Sequence, residues 1–172
     1  MSILVDSGFS KEEVFNVVEE YLQQAGIEIV SFDKNRPWGG FYVIDETQIG
    51  AFREKFFPEV ELSKEQLSLK LSPKILIVGP GKRLSWQYHH RRAEIWKLIF
   101  GESSIAISPN DVETPKQVME IGKVIRLAQG ERHRLIGDNN WGIVAEIWMH
   151  IDPENPSDEE DIVRVQDDFA RK

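Results

Sequence analysis

The stretch Gln87-Tyr88-His89-His90-Arg91-Arg92-Ala93-Glu94 brings an amide, an imidazole and a carboxylate close together in the chain. On a strand Gln87 and His89 share one face, because side chains alternate with a period of two, and His90 points the other way. The residues between His89 and Glu94 suffice for a tight turn, so a following strand can carry Glu94 back beside His89. His133, on a later strand after Gly130, offers a further donor. An amide oxygen, two imidazoles and a carboxylate are all acceptable ligands for a divalent first-row metal. One divalent ion held by Gln87, His89, Glu94 and His133 is therefore the expectation. A histidine on a strand is more often a hydrogen-bonded structural residue than a ligand, and the string alone is a weak signal. Glycines at matching offsets before each part strengthen it.

These residues need a scaffold of strands. From Lys74 onward, short runs of Ile, Val, Leu and Trp alternate with turn signals at Gly79-Pro80-Gly81, Gly101, Ser108-Pro109-Asn110-Asp111, Gly130 and Gly137-Asp138-Asn139-Asn140. Such punctuation reads as a β-sandwich or barrel. The expected strands are 74–78, 83–89, 94–100, 103–107, 122–127, 132–136 and 142–150, followed by an acidic, proline-containing loop from Asp152 to Asp161. Upstream, Ser10 and Glu13 form a capping-box pattern. Val14, Phe15, Val17, Val18, Tyr21, Leu22 and Ala25 then recur at helical spacing, and Gly26 supplies a stop. A short strand over Ile27 to Phe32 and a second helix from about Thr47 to Phe57 complete the picture. The reading is one mostly β domain over 1–172, with a helix-rich N-terminal extension (1–60) and a β-barrel core (70–172).

The composition bounds the partners. With 172 residues the chain suits a single core, and its net charge of -8 disfavours nucleic acid and anionic membrane surfaces. It has no cysteine, which excludes disulfides and thiolate metal sites. Residues 1–14 lack the basic start and apolar run of a secretory signal, and no apolar stretch is long enough to cross a bilayer. A cytoplasmic protein is expected.

Several spans resemble a known family. Gly81, Gln87, His89, Glu94 and Gly101 are spaced as in the first cupin motif, with Gln87 in place of its first histidine. Gly122, Gly130 and His133 resemble the second, with Ala128 and Gly137 where proline and asparagine are usual. Within the cupins, Arg36-Pro37-Trp38-Gly39, the run from Pro80 to Trp96, His133-Arg134-Leu135 and Asp161 to Asp168 resemble the type II mannose-6-phosphate isomerase family, over roughly Arg36 to Arg171. The resemblance implies a jelly-roll barrel and zinc on Gln87, His89, Glu94 and His133. Residues 1–30 fall outside it, where many relatives carry a nucleotidyltransferase domain, so GDP-mannose synthesis is not expected. Trp86 and Ile95 depart from the common Leu and His, and the loop before Asp161 is longer. These departures bear on substrate identity more than on the metal.

The implied activity is aldose–ketose isomerisation of a small-molecule sugar phosphate, mannose 6-phosphate to fructose 6-phosphate. An iron cupin dioxygenase or a non-catalytic sugar-binding cupin would use the same fold, but Gln87 in place of histidine counts against the former. Isomerisation needs a Lewis acid near two substrate oxygens, a proton shuttle and a grip on phosphate. Lys82, Arg83, Arg91, Arg92, Arg132 and Arg134 cluster around the ligands in sequence, although at alternating positions about half would face solvent. Lys82 and Arg134, with Arg36 and Trp38, are the expected substrate-binding residues. Arg164 is expected to stabilise negative charge on the substrate, its bland alternative being a salt bridge to Asp161, Asp167 or Asp168. Glu146 and His90 are candidate proton-transfer groups, His90 the weaker because it should face away. Cupin barrels pair through edge strands or terminal segments, so a homodimer is a candidate assembly.

Overall fold

The computed structural model describes residues 4–171; residues 1–3 of the extension and Lys172 of the barrel segment lie outside the described residues. Helix α1 (Lys11–Gln24) starts at the expected cap: Ser10 Oγ accepts from the Glu13 N–H at 3.1 Å and the Glu13 carboxylate accepts in return from the Ser10 N–H. Its buried residues Val14, Phe15, Val18, Tyr21 and Leu22 form one stripe, each worth roughly 1.5–3 kcal/mol of burial. Strands β1 (Ile29–Arg36) and β2 (Gly39–Ile44) follow, then a 3-10 turn, helix α2 (Ile49–Phe56) and a short α3 (Lys64–Leu67). Thus the N-terminal segment contributes two strands as well as helices. The barrel continues with β3 (Lys74–Val78), β4 (Trp86–Tyr88), β5 (Arg92–Ser108), β6 (Gln117–Val118), β7 (Val124–Leu127), β8 (Arg132–His150) and β9 (Val163–Gln166).

Two long strands make the jelly roll. β5 and β8 pair antiparallel from Arg92↔His150 to Gly101↔Gly142, and after a register break from Ser103↔Gly137 to Ser108↔Arg132. The first half of β5 and the second half of β8 join β1, β2, β3 and β7 in one layer; the second half of β5 and the first half of β8 join β4, β6 and β9 in the other. Expected turns at Gly101 and at 137–140 are therefore bends where each strand passes between layers, which is why single strands replace the expected pairs. Gly101 shows the cause. Its φ is 78°, and a Cβ there would lie 1.8 Å from the Trp141 carbonyl oxygen. Gly101→Ala combines left-handed strain with that clash and is expected to cost about 3 kcal/mol or more, read from the urea unfolding midpoint.

Alternation assigns the faces. Ile75, Ile77, Ile95, Ile143, Ala145 and Ile147 pack outward with the helical side chains in one core. Leu76, Val78, Trp96, Leu98 and Val144 face inward, meeting Leu84, Ile105 and Leu135 from the opposite layer. The inward face also carries Lys74, Glu94, Glu146 and Trp148, where the apolar lining gives way to charge. Among the described residues, no helix is long and apolar enough to cross a membrane.

At the end of β8, His150 Nδ1 accepts the Ser157 N–H (2.9 Å), leaving Nε2 to donate to Ser72 Oγ (3.2 Å). Burial, reinforced by Lys70, Arg92 and Lys74, pushes this imidazole from 6.5 down to about 4. The folded protein refuses a proton that the unfolded chain accepts. Stability is therefore expected to fall as pH drops from 6.5 towards about 4 and to level off below. His150→Gln should flatten that part of a pH series of urea titrations.

Candidate metal centre and its cavity

β4 and β5 do not pair as a hairpin; they lie in different layers, joined by the turn at 89–91. The donors meet because the layers face each other across the barrel. Asp161 shapes the turn: its carboxylate accepts from the His90 and Arg91 N–H groups (2.9 and 3.0 Å) and from Ser157 Oγ (2.6 Å). His89 is thereby aimed inward, whereas His90 is exposed, as the alternation requires.

His89, Glu94 and His133 are buried together, with one ligand atom from each lying within 4.8 Å of the others. Their hydrogen bonding shows what they lack. The Asp161 carbonyl accepts from His89 Nδ1 (2.7 Å), and the Glu131 carbonyl accepts from His133 Nδ1 (2.9 Å). A carbonyl only accepts, so both Nδ1 atoms carry hydrogen and a neutral ring presents a bare lone pair at Nε2. Burial keeps His89 in that neutral form by pushing its pKa down. Both Nε2 atoms point at one carboxylate oxygen, Glu94 Oε1, at 2.8 and 3.1 Å. His133 Nε2 and Glu94 Oε1 are buried without a hydrogen-bond partner. Two unpartnered acceptors and His89 Nε2, whose one other neighbour is Arg92 Nη2 at 3.3 Å, thus converge on one point, an arrangement that a cation satisfies, and carbonyl-oriented histidines are the usual support for one. The donor set fits a divalent metal.

Gln87 lies beside this triad. It is the cross-strand partner of His133 on one side and of Arg164 on the other. It lines the cavity with its amide oxygen accepting Ser85 Oγ (2.7 Å), which leaves that oxygen a second lone pair. Arg92 closes the other flank, with Nη2 3.3 Å from His89 Nε2 and its guanidinium 3.7 Å above the Trp148 ring.

Glu146, opposite Lys74 and Trp96 on the sheet, is buried beside Glu94. Its two oxygens accept the indole N–H groups of Trp96 (2.7 Å) and Trp148 (2.9 Å). Burial opposes charge on both carboxyls. Beside His89 and Arg92, Glu94 is held well below the usual range; Glu146, repelled by Glu94, is pushed well above it.

Glu94 of the triad, with Gln87 beside it, lines a cavity of about 570 Å³, part of it open to solvent, together with Arg36, Trp38, Lys74, Arg92, Glu146, Trp148, Glu159, Arg164 and Arg171 among others. Arg36, Trp38, Glu146 and Arg164 are thus brought together with the triad. Lys82 and Arg134 are not, and neither is His90. Lys82 is exposed in the turn after β3. Arg134 is buried but spent on structure: Nε donates to the Leu84 carbonyl (2.8 Å), Nη1 binds Glu113 (2.8 Å), and Nη2 reaches the Gln166 side chain, tying β9 to the barrel. Sequence proximity to the ligands misleads here, because side chains adjacent in the chain leave the barrel on opposite faces. Asp161 caps the turn and Asp168 binds Arg83, while Asp167 binds Arg171 and also acts electrostatically on Arg164.

Arg92 belongs to the basic cluster read from the sequence, whereas Lys74, Arg171, Trp148 and Glu159 are cavity residues that the sequence reading does not include. Only Lys74 carries a local signal, a lysine in the otherwise apolar run of β3, whose burial is continuous.

A family model described as Mannose-6-phosphate isomerase C-terminal matches residues 53–167. No curated protein matches the sequence. Among solved structures, the capsular polysaccharide assembling protein CapF from Staphylococcus aureus is similar at 13% identity and a TM-score of 0.51, over 81% of this chain and 32% of that one. The vicilin of Corylus avellana (hazelnut) is similar at 14% identity and a TM-score of 0.52, over 76% and 35%. The chain spans about a third of the length of each. At these identities the likeness shows the fold alone, the double-layered barrel described above.

Proposed function

We propose, for a chain that belongs to the mannose-6-phosphate isomerase C-terminal family of the cupins, that it is a metal-dependent aldose–ketose isomerase of a sugar phosphate, with mannose 6-phosphate and fructose 6-phosphate as the expected pair. The observation that carries this reading is the convergence of three lone-pair donors, His89 Nε2, His133 Nε2 and Glu94 Oε1, behind a cavity rich in cations that Glu94 lines.

Those three residues, with Gln87 alongside, would hold the ion; zinc is the metal the family resemblance implies. When bound, it supplies a Lewis acid that polarises substrate oxygens. The rest of the chemistry belongs to the side chains. Glu146 lies on the cavity wall with both oxygens fixed by indole donors; its carboxylate form would take the proton from one substrate carbon and the acid so formed would return it to the next. It is the group positioned to carry a proton between adjacent substrate carbons. Arg164, set beside Gln87 by the β4–β9 pairing, places positive charge next to the donors, where negative charge develops on the substrate. Trp38, Phe41 and Trp148 wall the sugar in and displace water. Arg36, Lys74 and Arg171 suit an anionic group remote from the reacting carbons, in a chain whose net charge is -8.

The test is direct. Metal-loaded protein is incubated with mannose 6-phosphate while fructose 6-phosphate is followed by a coupled assay and oxygen by an electrode. Chelator-sensitive product with no oxygen uptake is expected. Absence of product across a panel of sugar phosphates would sink the isomerase reading, and oxygen consumption would transfer the site to a different reaction class.

A further inference from the structure

Isomerase chemistry leaves one contact of this cavity unexplained: Glu159 is bonded to Lys74. Lys74 lies on a strand buried along its whole length, its ammonium 3.6 Å above the Trp148 ring and 5.1 Å from the centre of Phe41. A buried ammonium needs an anion. The carboxyl opposite it on the sheet, Glu146, is committed to two indoles. The anion comes instead from the Asp152–Asp161 loop, whose Glu159 side chain is half exposed. Arg36 shares the Phe41 face with Lys74 (5.5 Å), and Arg164 and Arg171 line the same cavity. Arg36 already has Asp33 at 3.0 Å and Arg171 has Asp167 at 2.7 Å. Lys74 and Glu159 also border a second, outer cavity with Val30, Val43 and Lys70, so the pair stands as a partition between the metal cavity and the surface.

The two partners differ in freedom. Lys74 is clamped between rings and cannot follow a departing anion, whereas Glu159 can turn to water at little cost, since an ion pair with one exposed member is weak. A ligand dianion entering beside Arg36 and Arg171 would outbid a single carboxylate for the ammonium; a neutral sugar would not.

We propose that Lys74, flanked by Arg36 and Arg171, seats the phosphate dianion of the substrate, and that Glu159 is a built-in competitor which holds the lysine until a phosphate displaces it. Glu159 is then a specificity determinant, because an unphosphorylated sugar must enter with the pair still closed. The inference rests on the sugar-phosphate reading of the same cavity.

Binding of inorganic phosphate tests it without any turnover. Isothermal titration at low ionic strength is run on wild type, Glu159→Gln and Lys74→Met, with the protein as purified and again in excess chelator, which separates phosphate taken up by bound metal. Glu159→Gln is expected to tighten phosphate about three- to tenfold. Lys74→Met, whose apolar stem keeps its place on Trp148, should weaken it at least about tenfold, and the double variant should match Lys74→Met. If Glu159→Gln leaves phosphate affinity unchanged or weaker, Glu159 merely props the lysine and the proposal is overturned; should Lys74→Met unfold, this variant alone decides. Shifted phosphate affinity in a protein that isomerises no sugar phosphate would uphold the subsite and reject the isomerase. Isomerisation with unshifted phosphate affinity would do the reverse.

Discussion

Replacing His133 with alanine is expected to release the metal: protein passed through a desalting column should retain about one equivalent as wild type and almost none as His133→Ala. His89→Ala should behave the same way. Each change deletes one of the lone pairs aimed at Glu94 Oε1. Loss of a group that only orients a ligand already weakens metal binding by about 10- to 100-fold, so loss of the ligand itself should exceed about 100-fold in a competition titration against a chromophoric chelator. His90→Ala is the control. Its ring is exposed and packs edge-on to Tyr88 at 5.4 Å, and only its backbone N–H takes part in the turn, so metal content should be unchanged. Thermal unfolding gives a second readout. Metal added to wild type should raise the midpoint, because the ion binds the folded state alone, and should leave His133→Ala unmoved. Equal metal loss in all three variants would contradict the facing of the 89–90 pair.

Glu146→Gln carries the second large effect. The substitution keeps shape but removes the group that takes up and returns a proton, and kcat for isomerisation should fall about 10²- to 10⁴-fold with metal content retained. A structural cost accompanies it. Both Glu146 oxygens accept indole N–H groups, and a glutamine can serve only one with its oxygen while its amide opposes the other. That mismatch should lower stability by about 1–3 kcal/mol. The two effects separate readily: a purely structural Glu146 predicts a lower unfolding midpoint with near-normal kcat at temperatures where the variant is folded. Trp96→Phe and Trp148→Phe each remove one indole donor and should reproduce part of the stability loss while keeping the acid, so their kcat should fall far less.

How much of this was legible in the chain differs by level. Helix α1 was legible because a capping box and a 3.6-residue stripe are local, and the Ser10–Glu13 bonds form as the spacing requires. The split of β5 and β8 into separate strands was misjudged. Gly101 and Gly137 do mark backbone breaks, but a glycine that ends a strand and one that lets it bend between layers look alike until the neighbouring carbonyl is known. The triad was readable because period-two alternation fixed the facing of His89 against His90. The route by which Glu94 reaches it was not, since β5 meets β4 across the barrel rather than beside it. The phosphate-side residues were hardest. Lys82 and Arg134 drew attention by lying near the ligands in sequence, while Lys74 and Arg171, distant in sequence, are brought to the cavity by β3–β8 pairing and by the segment after β9. Long-range pairing leaves no short-range trace.

X-ray absorption at the metal edge, on protein loaded with zinc and freed of excess ion, tests the central claim most directly. The predicted spectrum has a nitrogen and oxygen shell at about 2.0–2.1 Å, with outer-shell scattering from two imidazole rings that drops to one ring in His133→Ala. A shell of oxygen alone, or imidazole scattering indifferent to His133, would show that the ion sits elsewhere and that His89, Glu94 and His133 do not form its site.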